Sequence, residues 1–403
     1  MAVADLMRMV EGDFKKKYKG AEVEFGFAAD RDPLIGLVLD DPLLEYICDR
    51  RYLAYGRCYL VYGEKGSSKS TLGYHLLKVV QQKGGVGILI DTENGADLEY
   101  IGKQGVDLSK LIFHQTETAE QGFDLALSYA QKMPIAFPEG DTPVIIILDS
   151  LAGNATAAEA DDAVTLDKVG QPGAHAKLAA KFYRKFTKAI AHEKIIFLAT
   201  NQERKKIGGM PGFGPPPVAL IGGEAQFFNS TLHLEMDKTG DCKWKDQYGA
   251  MRVFGSIHRI KCKRNKLGRA GGGQEIPIDF YIDGGADTLS PLVRMLEKNY
   301  EGRIVYTNGK VGHALGYTWN VPNCKYIDPE TKEERVIDTT AKYTMADMDK
   351  LIYSSTDAKE YIRKVFGIPD MITKEEVKKV EEKHKRKRGK KVEEDAEENE
   401  QES

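Results

Sequence analysis

Gly63-Glu64-Lys65-Gly66-Ser67-Ser68-Lys69-Ser70-Thr71 follows the apolar run Cys58-Tyr59-Leu60-Val61-Tyr62 and precedes a helical stretch from Leu72 to Val80. A strand that turns through small residues into a helix opening with Lys-Ser-Thr makes a phosphate cradle. Backbone N–H groups of Gly63, Gly66, Ser67, Ser68 and the first helical turn point at the phosphates, and the helix dipole favours anions there. Lys69 is expected to reach the β/γ-phosphates, Ser70 to ligate Mg²⁺, and Thr71 to complete the first turn. One letter departs from G-x-x-x-x-G-K-[ST]: Ser68 stands where the pattern has its second glycine.

Two further strands supply carboxylates. Val86-Gly87-Ile88-Leu89-Ile90 ends in Asp91-Thr92-Glu93, and Val144-Ile145-Ile146-Ile147-Leu148 ends in Asp149-Ser150. Runs of branched apolar residues are what a parallel strand buried on both faces needs. Ligands of such sheets collect at the carboxyl ends of the strands. Asp149 is placed to hold Mg²⁺ through its water shell, and Glu93 to orient and deprotonate an attacking water. Either carboxylate alone could be a turn or cap residue; following a phosphate loop in this order, the two point to hydrolysis of ATP.

Composition fits a water-soluble enzyme of the cytoplasm. The 403 residues are 41% hydrophobic and 30% charged, enough for a large core with appendages. No apolar stretch approaches the ~20 residues of a membrane span. Met1 to Lys19 lacks a secretory apolar segment and carries Asp5, Glu11 and Asp13. Five scattered cysteines (Cys48, Cys58, Cys242, Cys262, Cys324) show no metal-ligand spacing and read as reduced thiols. The expected fold is α/β, a P-loop core on a mostly parallel central sheet over residues 34–290, where strand and helix signals alternate. A small N-terminal lead covers 1–33, with Leu6, Met7, Val10 and Phe14 at helix spacing and Val23 to Phe27 alternating like a strand. A small Tyr-rich domain is expected over 291–372, and a charged disordered tail over 373–403.

Two long loops follow the second acidic strand. Ala152 to Gly173 is small and polar, with Lys168 inside it and His175 and Lys177 just beyond its end. The strand Ile195-Ile196-Phe197-Leu198-Ala199 ends in Thr200-Asn201-Gln202, and Glu203-Arg204-Lys205-Lys206 opens the second loop. Ten of the sixteen residues from Gly208 to Gly223 are Gly or Pro, and Met210 and Phe213 are apolar among them. Loops of this length are uncommon in compact domains unless they work or are disordered. Gln202, beside the ATP strands and leading into a basic flexible loop, suggests a γ-phosphate sensor coupled to ligand binding; a solvated connection is the alternative.

With these pieces the chain resembles the RecA-family homologous-recombination ATPases, and among them most the phage recombinases of the UvsX type. The shared segments are Gly63–Thr71, Asp91-Thr92-Glu93, Leu148-Asp149-Ser150 and Asn201-Gln202, with similar letters at Gly105-Val106-Asp107 and Glu120-Gln121. The resemblance implies phosphate and metal roles for Lys69, Ser70, Thr71 and Asp149, and water activation by Glu93. It further implies adenine contacts for Asp97 and Tyr100, and a link from γ-phosphate to DNA at Gln202. Residues near 155–173 and 203–223 would line the filament axis, with Lys168, His175, Lys177, Arg204, Lys205, Lys206, Met210 and Phe213 touching DNA. Arg264 and Lys266, in a basic-Asn-basic pattern, would reach across to a neighbour's nucleotide, although Gly271-Gly272-Gly273 lengthens this stretch. A solvated basic hairpin is the alternative there. The N-terminal lead would serve self-association.

The function so implied is ATP-dependent strand exchange. A helical filament forms on single-stranded DNA, pairs it with homologous double-stranded DNA, and turns over by hydrolysis, in recombination, repair and recombination-dependent replication. A single-strand-binding protein and a mediator are the expected partners, in the cytoplasm of a bacterial host if the chain is of phage origin. DNA contact without base readout is sequence-tolerant and salt-sensitive. Two alternatives share the core: a hexameric helicase, for which a 33-residue lead is short, and a nucleotide-regulated assembly ATPase, which needs no basic Gly/Pro loop.

The tail yields a prediction. Lys374 to Lys391 holds ten basic and four acidic residues, whereas Val392 to Ser403 holds seven acidic and no basic ones. A tethered polyanion competes with DNA phosphate at high effective concentration; a merely solubilising tail is the alternative. Removing Glu393 to Ser403 is expected to tighten duplex binding and speed filament nucleation, most at low salt. Duplex affinity measured by fluorescence anisotropy across salt concentrations checks this, and an unchanged affinity would leave only solubility.

Overall fold

A computed structural model describes residues 3–18, 33–153, 155–157, 173–205, 218–245, 249–268, 272–311 and 314–371, with 379 and 382. The expected strand at Val23 to Phe27 and most of the charged tail lie outside these residues. Helix α1 (Val3–Lys17) leaves Leu6, Met9 and Val10 exposed. A short antiparallel pair, β1 (Gly36–Val38) and β2 (Tyr52–Ala54), brackets α2 (Pro42–Cys48). The Asp41 carboxylate accepts from the N–H groups of Leu43 and Leu44, and proline opens α2, the chemistry a helix start requires.

The central sheet grows from β3 (Arg57–Gly63), α3 (Lys69–Gln82), β4 (Val86–Asp91), α4 (Leu98–Lys103), β5 (Leu111–Gln115), α5 (Ala119–Ala136), β6 (Val144–Asp149), α6 (Ala174–Ile190) and β7 (Ile195–Lys205). Strands β5, β4, β6, β7 and β3 lie side by side and parallel. Their side chains alternate between two cores. Tyr59, Val61, Leu89, Ile145, Ile147, Ile196 and Leu198 face the side carrying α3, where Leu72, Leu76, Leu77 and Val80 are buried. Leu60, Ile88, Ile90, Ile146, Leu148 and Phe197 face α5 and α6. Burial on both faces explains why these strands read as unbroken apolar runs. On α6, Phe182 stacks on Phe123 at 4.4 Å and Phe186 tilts onto Phe197 at 4.6 Å, while its lysines face outward.

The chain then makes β8 (Val218–Leu220), α7 (Ala225–Asn229), β9 (Ser230–Lys245), β10 (Met251–Asn265), β11 (Glu275–Tyr281) and β12 (Gly285–Asp287). β9 is parallel to β3, and β10, β11 and β12 add antiparallel at that edge. Strands β9 and β10 run 16 and 15 residues, so beyond the β3 pairing they form a ribbon past the carboxyl ends of the parallel strands. The sheet is therefore mixed, with its parallel half carrying the phosphate loop.

Residues after 290 are α8 (Leu289–Asn299), β13 (Val305–Val311), β14 (Ala314–Trp319), β15 (Lys325–Ile327), β16 (Glu334–Val336), α9 (Met345–Ser354) and α10 (Thr356–Phe366). The boundary expected at 290 falls inside α8, and one hydrophobic cluster runs from the α3 face through Leu292, Trp319, Ile352 and Phe366. A partly buried ion network joins α2 and the residues just after it to α10 and the residues just after that helix. Arg363 donates to both Glu45 oxygens at 2.7 Å and to Glu360 at 2.9 Å. Arg51 donates to Glu360 at 2.7 and 2.9 Å and to Asp370 at 2.7 Å. Burial pushes the Glu45 carboxyl above its ordinary range, and Arg363 opposes that rise. No helix among the described residues is long and apolar enough to cross a membrane. All five cysteines are buried and free, and burial pushes the Cys58 thiol up to about 12.

Removing one member of a buried ion pair strands the other. Arg363→Met is expected to cost about 3–5 kcal/mol, with Glu45→Leu in the same chain recovering most of it. Glu45 then titrates with a raised folded-state value, so the stability of its protonated form is lost as pH rises. The deficit of Arg363→Met relative to the parent should therefore shrink between pH 7 and pH 5, read by denaturant unfolding.

Candidate nucleotide site

Gly63, Asp91 and Asp149 end three parallel strands, and Gln202 on β7 pairs directly with Gly63. Asp91 pairs with Asp149. Four adjacent strands at ~4.8 Å spacing thus set these groups in a row about 14 Å across, long enough for a triphosphate and the water that attacks it.

The loop geometry follows from its small residues. Gly63 has φ +158°, and a Cβ there would meet the Met236 carbonyl oxygen at 2.1 Å. Gly66 has φ +79°, and a Cβ there would meet nothing within 4 Å, so this side of the cradle is open. Ser68 adopts φ 60°, ψ 31°, the left-handed conformation that glycine takes without strain. Ser67 is buried. The Lys69 ammonium donates to the carbonyls of Glu64 at 2.8 Å and Gly63 at 3.2 Å and to the Ser67 hydroxyl at 3.2 Å. Burial lowers the Lys69 pKa, while the carboxylates of Asp149 and Glu93 raise it. Thr71 is buried in the first turn of α3, its hydroxyl 3.5 Å from the Tyr100 hydroxyl.

The carboxylates differ in setting. Burial pushes the Asp149 carboxyl above the ordinary range, against hydrogen bonds from Ser70 and Thr200, with Glu93 and Asp91 adding to the rise. A desolvated carboxylate beside a hydroxyl suits a hard cation that keeps waters and phosphate oxygens as its other ligands. Among the described residues no cluster of three or more His, Cys, Asp or Glu could hold a metal alone. Ser70 and Asp149 are the oxygen donors that such a cation would find here. Glu93 is exposed, and its Oε1 accepts from the Ser150 hydroxyl at 2.5 Å and from Gln202 Nε2 at 2.8 Å. Asp91 shapes the turn beneath it, accepting from the N–H groups of Glu93 at 3.0 Å and Ala96 at 2.9 Å. Thr92 and Ser150 exchange hydrogen bonds of 2.6 and 2.9 Å that lock β4 to β6.

The second loop leaves as a hairpin: Glu203, Arg204 and Lys205 pair with Leu220, Ala219 and Val218. Asn201 ties its returning limb, donating to Ile221 O and Gln226 Oε1 at 2.7 Å. Gln202 is thus the residue between the hairpin stem and Glu93. Lys206, Met210, Phe213 and Lys168 lie outside the described residues, and only the backbone of Arg204 and Lys205 is described. Lys177 is exposed on α6. His175, read as a loop cation, instead sits in the first turn of α6 with both ring nitrogens buried and its ring 6.5 Å from Phe123. The aromatic packing of α6 turns it away from solvent.

Asp97 caps α4 by accepting from Glu99 N at 2.9 Å, and Tyr100 lies edge-on to Tyr74 at 6.3 Å. Arg264 and Lys266 are exposed at the far end of β10, where Arg264 pairs with His233 near the start of β9. They lie roughly 10–15 Å along and across the strands from this chain's own loop, out of reach of its phosphates. Burial, and then Arg264, lower the Lys266 pKa. Sequence reading missed the supporting roles of Ser150, Thr200, Thr92 and Asp91, although each adjoins a residue it singled out.

A family model described as the RecA N-terminal domain matches residues 50–284. Protein RecA of Gluconobacter oxydans is 30% identical over 254 residues, covering 63% of this chain and 67% of that protein. Protein RecA of Brucella suis is 30% identical over 241 residues, 60% of this chain and 61% of that protein. Protein RecA of Ruegeria pomeroyi is 31% identical over 215 residues, 53% of this chain and 56% of that protein. The matched part thus spans between 56% and 67% of these relatives' own length. With more than half of its residues matched to that model, on a parallel sheet whose strand ends carry this site, the chain belongs to the RecA family.

Proposed function

We propose that the protein is a DNA-dependent ATPase that assembles as a filament on single-stranded DNA and exchanges strands with a homologous duplex, in recombination and repair. The observation that carries this reading is the 2.8 Å hydrogen bond from Gln202 to Glu93. It connects the stem of a basic, glycine- and proline-rich hairpin to the carboxylate that faces the attacking water. DNA held by Arg204, Lys205, Lys206, Met210 and Phe213 would move Gln202 and free Glu93 to take a proton from water. Lys69 and the loop N–H groups would stabilise the transferring phosphoryl group, and Ser70 and Asp149 would hold Mg²⁺. Asp97 and Tyr100 would receive the base.

Self-association has two supports. Helix α1 exposes Leu6, Met9 and Val10 on one side, an apolar stripe suited to a second copy. Arg264 and Lys266 are too far from their own loop and would complete a neighbour's site, as a trans-acting arginine does. Kinship with the UvsX-type phage recombinases rests on the motif letters, and so do the single-strand-binding and mediator partners.

Lys69→Ala is expected to abolish hydrolysis and weaken nucleotide binding, and Glu93→Gln to keep ATP bound while slowing turnover by orders of magnitude. Gln202→Ala should retain basal hydrolysis but lose stimulation by single-stranded DNA, measured by phosphate release with and without DNA. Equal stimulation of variant and parent refutes the relay.

Asp149→Asn separates metal binding from folding. The raised Asp149 pKa means the ionised form costs stability at neutral pH. The ligand-free variant should melt no lower than the parent at pH 7, with the advantage shrinking on acidification as the parent's carboxyl protonates. Mg²⁺ with an ATP analogue should no longer raise its melting temperature, whereas a rise equal to the parent's would remove Asp149 from the metal site.

A further inference from the structure

Ser68 occupies a position whose backbone calls for glycine, and its hydroxyl does not cap the helix that follows. Serine before a first helical turn ordinarily spends its oxygen on the N–H groups of that turn. Here the hydroxyl instead meets His258 Nε2 at 3.1 Å, 190 residues away on β10. The same nitrogen meets the Ser256 hydroxyl at 2.8 Å. His258 is 1% exposed and packs edge-on to Phe280 at 5.3 Å. Burial drives its pKa down to about 4, so a neutral imidazole meets the hydroxyls, and either tautomer can pair with a group that both donates and accepts.

The strand is shaped to present this ring. Ile257 pairs with Gly240 but His258 with Lys238, so β9 carries one extra residue at this step. A bulge re-aims the side chains beside it. Two departures from simple patterns, a serine in the left-handed region and a bulge at a buried histidine, thus meet at one hydrogen bond.

We propose that His258 is a positioning residue for the nucleotide site: its bond to Ser68 holds the phosphate loop in the conformation that glycine would adopt unaided. The loop N–H groups are thereby fixed for phosphate, and the loop is tied to β10, the strand that carries Arg264 and leads into Lys266. The pair is compensatory, so each member is needed only because the other is present. This rests on the nucleotide reading above.

A double-mutant cycle tests it, with Ser68→Gly, His258→Ala and their combination, read by equilibrium binding of a fluorescent ATP analogue and by melting of the ligand-free protein. His258→Ala should weaken analogue binding about 5- to 10-fold, about 1.0–1.4 kcal/mol, and should raise KM for ATP while leaving kcat near the parent's. Within the Ser68→Gly background, whatever its own affinity, His258→Ala should cost less than about 2-fold in analogue binding and leave the melting temperature near that of Ser68→Gly. Should His258→Ala fail to fold, His258→Gln keeps a hydrogen-bonding amide at this position and should bind within about 2-fold of the parent, about 0.4 kcal/mol, with the Ser68→Gly background indifferent to it. Additive losses in the cycle, or unchanged affinity in His258→Ala, would overturn the inference while leaving the nucleotide site standing. A parent protein that binds no analogue would instead remove the reading on which it rests.

Discussion

Glu93 is held by two hydrogen bonds that come from different strands, Ser150 after β6 and Gln202 on β7. Everything else at the site depends on that convergence. It exists because the strands are parallel and adjacent, so their carboxyl ends arrive together. It also needs Asp91 to turn the chain after β4 and the Thr92–Ser150 exchange to fix the distance between β4 and β6. A carboxylate so gripped is poised but restrained. Its two bonding groups come from elements leading into the two long loops.

The same economy governs the metal and phosphate groups. Burial raises the Asp149 pKa and lowers that of Lys69, where the Asp149 carboxylate offsets part of the shift. Opposite charges buried near one another cost less than either alone. The Arg363–Glu45 network does different work at the other side of the α3 face, joining residues 318 positions apart in a contact that α10 and α2 bury between them.

What was legible in the sequence was whatever depends on local pattern. The strand–loop–helix at Gly63–Thr71 and the apolar runs ending at Asp91 and Asp149 together marked out the parallel half of the sheet. The antiparallel half was less visible, because β9 and β10 alternate charge with apolar residues and twist through bulges that no periodicity announces. The Ser68–His258 contact was invisible for a plainer reason: the departure at Ser68 could be seen, but its partner lies on a strand whose register only folding sets. His175 misled because a polar residue after a loop looks like a ligand, whereas the aromatic face of α6 draws it inward. The boundary at 290 was drawn from composition, and α8 crosses it to pack against the core.

Whether this chain couples nucleotide to assembly on DNA can be seen by electron microscopy of the full chain with single-stranded DNA and a non-hydrolysable ATP analogue. Helical filaments that form only when both ligands are present are the expected outcome. Closed rings threaded by the strand, or particles unchanged by DNA, would contradict it.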